Sequence, residues 1–333
     1  MYNGINHNSH NYLWITWEKQ RRNHSMSAEL PAVLVEIIDN SSRIKRYIRS
    51  AYQTIYALRK YKPDLFFVQN PSIVLATLAL AYHKITSVPF VVDAHNSGLF
   101  PSTSHRNPLN MLARFIIRHT PITIVTNKTL LEYVESVGGC AAILPDPLPE
   151  FTHPSSDPHI DNYFNVLFIC TWAEDEPYME VISAASNLPD DVRIHITGNS
   201  KNRLTGLNEL PVNVILTGYI GESEYVSILH TCDLVIDLTT RQDCLVCGAY
   251  EAISAAQPLI LSDTPSLRDY FRNCALYTNN SSEDIAEKIL YAKRHIDELR
   301  TAVAEEKRSI NDRWSSLLQE FRRLLAERFE TAN

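Results

Sequence analysis

The stretch Leu234-Val-Ile-Asp237-Leu-Thr-Thr-Arg241-Gln-Asp243-Cys-Leu-Val-Cys247-Gly-Ala-Tyr-Glu251-Ala-Ile-Ser-Ala-Ala-Gln-Pro258-Leu-Ile-Leu261 reads as one strand–loop–helix–strand unit. A short apolar run ends near Leu238. A polar loop follows, then a helix of small residues over Gly248–Ala256. Pro258 stops that helix before the next strand, Leu259–Leu261. Strands joined through a helix pair in parallel, because parallel pairing needs a crossover connection.

The alternation extends in both directions. Val166–Cys170, Val192–Thr197 and Val212–Thr217 read as strands, and Pro177–Ser186, Ser223–Thr231 and Glu283–Arg294 as helices. The tail Ile296–Phe329, rich in Glu, Arg, Leu and Ala, is expected to be helical. Upstream, strands are expected at Tyr12–Trp17, Ala32–Ile38, Asp64–Gln69, Phe90–Val92, Ile122–Thr126 and Ala142–Leu144. Helices fit Ser41–Tyr61, Ser72–His83, Pro108–Arg118 and Lys128–Ser136. The pattern pauses at Leu144-Pro-Asp-Pro-Leu-Pro149 and the polar run that follows, where prolines remove backbone donors. The expected organisation is therefore a parallel α/β domain over residues 1–149, a linker over 150–164 and a second α/β domain over 165–333.

Composition supports two cores: 333 residues, 45% hydrophobic and 21% charged. Six cysteines are too few for a disulfide scaffold. A net charge of −7 argues against a nucleic-acid partner. No apolar run reaches the length of a membrane span, since the longest, Ser72–Tyr82, leads into His83-Lys84. Met1–His10 is polar and lacks a signal-peptide pattern, so a cytoplasmic setting is expected. Charge is uneven: residues 1–150 hold 15 basic and 10 acidic side chains, the remainder 16 and 28. A basic first half suits an anionic substrate or surface.

Ligands of open α/β sheets bind beyond the carboxyl ends of the strands. The polar residues expected there are Gln69-Asn70, Asp93-Ala-His95-Asn96 and Thr126-Asn127 in the first domain. In the second they are Thr171-Trp172, Thr197-Gly198-Asn199, Thr217-Gly218-Tyr219 and Asp237-Leu-Thr239-Thr240. Edges of this kind from two domains would line a cleft suited to a substrate. Asp243 and Glu251, eight residues apart, flank a helix N-terminus whose N–H groups suit a phosphate, while carboxylates suit sugar hydroxyls. The same spacing equally fits Asp243 as a cap and Glu251 as a solvated helix residue.

At this segment the sequence resembles the glycosyltransferases of the family 4 or group 1 type, whose Glu-x7-Glu signature reads here Asp243-x7-Glu251. Pro63-Asp64-Leu-Phe-Phe-Val-Gln69-Asn70-Pro71 and Val91-Val92-Asp93-Ala94-His95-Asn96 are similar to the chitobiosyl-diphosphodolichol β-mannosyltransferases. So are Thr171-Trp172-Ala173-Glu174-Asp175-Glu176, Ile196-Thr197-Gly198 and Leu216-Thr217-Gly218-Tyr219, and Pro258–Pro265 fits the wider group. The resemblance covers about residues 12–290. It implies a GT-B fold, two doubly wound Rossmann-like domains facing an interdomain cleft. It also implies transfer of a sugar from a nucleotide-diphosphate sugar to a glycan or lipid-linked acceptor, with no metal cofactor. Asp243 would contact the sugar and Glu251 the ribose. The Cys244, Leu245 and Val246 amides would lie near the sugar and diphosphate, with Thr171, Trp172, Gly198 and Tyr219 around the donor.

His95 would face the reacting centre, as a proton acceptor in an inverting reaction or as a sugar-positioning group in a retaining one, with Asp93 orienting the imidazole or capping the next turn. Two departures stand out. Position 243 is Asp, one methylene shorter than Glu. The Arg and Lys that many relatives carry after the first strand of the second domain are replaced by the acidic run Ala173-Glu-Asp-Glu176. Lys201, Arg203 or Arg241 would then neutralise the diphosphate, or Arg21 and Arg22 from the first domain. Two functions share this architecture as alternatives: a nucleotide-sugar 2-epimerase-like enzyme and a degenerate, non-catalytic binding module.

Cys244-Leu-Val-Cys247 is a CxxC without a second pair or a nearby His, so helix-start packing is expected rather than a metal site. Residues 41–62 carry Arg43, Lys45, Arg46, Arg49, Arg59, Lys60 and Lys62 without an acid. Ile44, Ile48, Tyr52, Ile55 and Leu58 recur at helical intervals among them. Such a helix either packs with a solvated basic face or lies on an anionic membrane surface, a peripheral location that suits a glycolipid acceptor.

Overall fold

The computed structural model describes residues 11–70, 72–102, 107–151, 162–200, 203–204 and 209–330. The chain divides into two compact units, residues 1–147 with 314–333 and residues 148–313.

The first unit holds β1 (Tyr12–Thr16), β2 (Ala32–Glu36), β3 (Leu65–Asn70), β4 (Phe90–Ala94), β5 (Ile122–Val125) and β6 (Ala141–Ile143). They form one parallel sheet in the order β2-β1-β3-β4-β5-β6. Between the strands run α1 (Arg21–Glu29), α2 (Arg43–Tyr61), α3 (Ile73–Thr86), α4 (Asn96–Leu99), α5 (Pro108–His119) and α6 (Lys128–Ser136). Side chains alternate across the sheet, so each strand feeds two cores. Leu13, Ile15, Phe66 and Val68 pack with residues of α3 and α5, whereas Trp14, Leu65 and Phe67 pack with Met26 and Leu30 on the other face.

The second unit holds β7 (Phe164–Phe168), β8 (Val192–Thr197), β9 (Val214–Gly218), β10 (Leu234–Asp237), β11 (Leu259–Ser262) and β12 (Ala275–Thr278). Their order is β12-β11-β10-β7-β8-β9, again all parallel. The helices are α7 (Tyr178–Ala185), α8 (Glu222–Thr231), α9 (Cys247–Ser254), α10 (Pro265–Phe271), α11 (Ser282–Arg294) and α12 (Ile296–Leu325). Val166, Phe168 and Ile236 face α7 and α11, while Leu167 and Val235 face α8, α9 and α10. Both units are therefore doubly wound, as expected.

Two expectations need correction. The domain boundary falls after Pro147, and the second unit does not run to 333. The end of α12 belongs to the first unit: Trp314, Leu318, Phe321 and Leu325 form one helical stripe in the core beside Trp14 and Phe67. The Trp314 indole also donates to the Pro145 carbonyl at 2.9 Å. The helix continues without a break, so its sequence carries no sign that it changes core. Helix α1 was not expected because its buried face, Arg22, Asn23, Met26 and Ser27, is mostly polar and lacks an apolar period.

Candidate functional site

Each sheet reverses its strand order at one place, where loops on opposite faces leave a crevice. In the second unit this lies between β7 and β10. The loops leaving these two strands, 169–177 and 238–246, are the segments singled out from sequence. Asp175 ties them together. Its carboxylate accepts from the Thr239 hydroxyl at 3.1 Å and pairs with Arg241 at 3.0 Å, and its carbonyl accepts from the Thr240 N–H at 2.7 Å. The Glu176 carboxylate accepts from the Thr171 and Ala173 amides at 2.9 and 3.0 Å and from the Thr171 hydroxyl at 2.8 Å. The acidic run in place of the usual cations thus organises its own loop.

Asp237 ends β10 beneath the first turn of α9 and accepts from the Gly248 and Ala249 amides. A Cβ at 248 would stand 2.5 Å from Asp237 Oδ2 and 2.7 Å from Ile169 Cδ1, so a larger residue there would displace these side chains. Burial, then the charges of Glu176 and Glu251, push the Asp237 carboxyl well above the usual range, and the two amides offset this in part. Glu251 lies on α9 and accepts from the Tyr225 hydroxyl of α8. Asp243 is partly buried in the loop before the helix. Val246 caps α9 with its side chain in the core, Leu245 packs against that core, and Cys244 is partly buried.

Burial pushes the Cys244 thiol up to about 11, with Arg241 opposing, and Cys247 is exposed and outside any disulfide. The Cys244 thiol in that state is not a ready nucleophile. Among the described residues, no three His, Cys, Asp or Glu side chains are arranged to hold a metal.

Of the other expected donor contacts, Thr171 is exposed and Tyr219 is 91% exposed. Gly198 follows β8 at φ +83°, where a Cβ would lie 2.3 Å from the Cys170 carbonyl. Lys201 lies outside the described residues. Trp172 requires a correction: its indole is buried and donates to the Thr197 carbonyl at 2.9 Å, so its side chain is committed to the core.

In the first unit the order reverses between β1 and β3, and the polar residues beyond these strands form a buried network. Trp14 Nε1 donates to Asn23 Oδ1 at 2.9 Å, and Asn23 Nδ2 donates to Gln69 Oε1 at 3.0 Å and to the Glu18 carbonyl at 3.2 Å. The Thr16 hydroxyl lies 2.6 Å from Gln69 Oε1. Gln69 Nε2 stands 2.6 Å from Gln20 Oε1 and 3.1 Å from His95 Nε2. Arg22 donates to both Asp93 oxygens, at 2.6 to 3.1 Å, to Asp146 at 2.6 Å and to the Leu144 carbonyl at 2.9 Å. Burial alone would raise the Asp93 carboxyl, but the Arg22 guanidinium reverses this and holds it well below the usual range.

Two expectations change here. Arg22 is buried between two carboxylates and is not available to a diphosphate; losing one partner of such a pair costs about 3–5 kcal/mol. Asp93 does not cap the turn, and it faces His95 Nε2 at 3.7 Å, an ion-pair separation longer than a hydrogen bond. The close partner of His95 is Gln69, read from sequence only as an edge residue. The signal for both Gln69 and Asp237 was a polar side chain inside an otherwise fully buried strand end. A cavity of about 420 Å³ in the first unit, between β6 and the end of α12, contains none of these groups.

Residues 179–317 match the family model described as glycosyl transferase-like. No curated protein matches the chain in sequence. Among solved structures, HepE of Anabaena in complex with UDP and glucose aligns at 12% identity and a TM-score of 0.73, covering 95% of this chain and 99% of that one. HepE in complex with UDP-glucose aligns at 14% and 0.73, covering 96% and 100%. Sucrose-phosphate synthase from Thermosynechococcus elongatus aligns at 14% and 0.69, covering 90% and 84%. The architecture is the GT-B fold. The glycosyl transferase-like match lies over most of the second unit.

Proposed function

We propose that the chain transfers a sugar from a nucleotide-diphosphate sugar to a glycan or lipid-linked acceptor in polysaccharide or glycolipid assembly. The observation that carries this reading is the position of the Asp243–Glu251 loop and helix. They leave β10 at the switch point of the second sheet, inside the segment that matches the glycosyl transferase-like family. HepE binds UDP and UDP-glucose, which makes uridine nucleotides the first donors to try.

In this reading Asp243 contacts the transferred sugar and Glu251 the ribose. The Cys244–Val246 amides, Thr171, Gly198 and Tyr219 surround the donor, and His95 serves the reacting centre. Negative charge grows on the departing diphosphate and must be met by a cation or by N–H groups. Arg241 suits that task without a metal cofactor. Its exposed pair with Asp175 is worth only about 0–1 kcal/mol, so release toward a phosphate is cheap. Lys201 is the further candidate.

The acceptor side is proposed to be membrane-associated, at the cytoplasmic face. On α2 only Ser50, Thr54, Ala57 and Leu58 are buried, while Ile44, Ile48, Tyr52 and Tyr56 form an exposed stripe among Arg43, Lys45, Arg46 and Arg49. Among the described residues no helix is long and apolar enough to cross a membrane.

One observation favours a second reading, the non-catalytic module: Glu176 and Asp237 already occupy amides at the switch point. A thermal-shift panel of UDP, GDP, ADP and their sugars separates the two. A donor at about 100 times its Kd adds about 2.7 kcal/mol of stability, and nucleotide released slowly without acceptor then marks a transferase. An isomerised sugar would point to the epimerase-like alternative, and a flat panel would sink the donor site altogether.

A further inference from the structure

We infer that a relay of side-chain amides sets the tautomer of His95, leaving its proton on Nδ1, so that the imidazole offers a ligand a hydrogen-bond donor and Gln69 is a positioning residue. The argument rests on groups that have a single hydrogen-bonding role. An indole N–H only donates, so the Asn23 atom 2.9 Å from Trp14 Nε1 is its oxygen. The Asn23 nitrogen therefore faces Gln69, an orientation that the acceptor-only Glu18 carbonyl at 3.2 Å also requires. Gln69 consequently turns its oxygen to Asn23 and its nitrogen to His95.

A second chain reaches the same result from the other side. The Glu18 carboxylate accepts from Gln20 Nε2 at 3.0 Å, which turns Gln20 Oε1 toward Gln69. Gln69 Nε2 then has two protons and two acceptors, Gln20 Oε1 and His95 Nε2. An imidazole nitrogen that accepts carries no proton, and the neutral ring places it on the other nitrogen. Asp93 does not compete: at 3.7 Å it is beyond hydrogen-bond reach, and its oxygens are taken by Arg22. The His95 side chain is 29% exposed, whereas Gln69 and Asp93 are buried, so Nδ1 is the nitrogen left for a ligand.

The tautomer stands on the first unit alone. Its use rests on the proposed transfer: a donor at Nδ1 binds a sugar hydroxyl or a phosphate oxygen, whereas a general base needs a lone pair there. Long-range proton–nitrogen correlation spectra of the full chain with labelled histidine read the tautomer without any substrate, and loss of one signal set in His95→Ala assigns it. The expected result is a protonated Nδ1 and an unprotonated Nε2. Protonation at Nε2 would overturn the proposal. Gln69→Glu replaces the facing N–H with an acceptor and should move the proton to Nε2; an unmoved proton in a folded variant would remove Gln69 as the cause. The wild-type spectrum decides the tautomer whether or not that variant folds.

For the role, UDP-glucose hydrolysis is compared in His95→Asn, whose amide nitrogen stands near the Nδ1 position, and in His95→Ala. Donation predicts that Asn stays within about tenfold of wild type while Ala falls about a hundredfold or more. Equal losses in both would return His95 to the role of a base. The spectra and the nucleotide panel fail independently of each other.

Discussion

Asp237 and Asp93 are both buried carboxylates at strand ends, yet their surroundings drive them in opposite directions. Asp93 has a guanidinium against it and stays ionised. Its stabilising contribution is fully present above the unfolded carboxyl value of about 3.9 and is lost as pH falls below it toward the depressed folded value. Asp237 has two amides but two further carboxylates nearby, and burial dominates. Its folded value is raised, so the contribution is present below about pH 4 and is lost as pH rises through the raised value. Asp237→Asn keeps an acceptor for the α9 amides and removes the charge. Its melting temperature should exceed that of the wild type at pH 8, by about 2–4 °C for each kcal/mol recovered. The difference should narrow toward pH 4, and identical melts across that range would contradict the account. At this scale sequence reading reached His95, Asp93, Asp243 and Glu251 as candidates with roles, and Gln69 only as a polar strand-end residue. A glutamine becomes a positioning group only through the four side chains around it: Thr16 of β1, Gln20 and Asn23 at the start of α1, and His95 after β4.

The helix α2 shows how far periodicity carries. Its helical form and its basic character were legible from residues 41–62, but which side packs was not. Of the five apolar residues at helical intervals, only Leu58 is buried and Ile55 packs in part; small Ser50, Thr54 and Ala57 make the rest of the contact. Ile44, Ile48 and Tyr52 are 74%, 67% and 73% exposed. Large apolar residues placed outward among cations match a helix lying on an anionic bilayer, where each basic residue contributes about 1 kcal/mol. The full chain should float with phosphatidylserine vesicles and not with neutral ones. Ile44→Asp with Ile48→Asp should abolish flotation without lowering the melting temperature, because neither residue supports the core. Binding that persists in the double variant would clear α2 of the role.

At the scale of the whole molecule, the C-terminal stripe decides the integrity of the first unit. Trp314, Leu318, Phe321 and Leu325 are each at most 7% exposed in its core. At about 1.5–3 kcal/mol for each buried apolar side chain, the four together rival the net stability of a domain, about 5–15 kcal/mol. A chain ending at Arg313 should lose the cooperative unfolding of the first unit in calorimetry while a transition for the second unit remains; a first unit melting as before would refute this assignment. Strand and helix alternation, the near-position of the boundary and the loop holding Asp243 and Glu251 could all be read along the chain, because periodicity and proline placement are local properties. The destination of the last twenty residues, the burial of Arg22 and Trp172, and the amide relay at His95 were decided by tertiary structure. Each depends on which distant group supplies the partner, and a continuous amphipathic helix, a lone arginine or a strand-end glutamine has the same local signature whichever partner it finds.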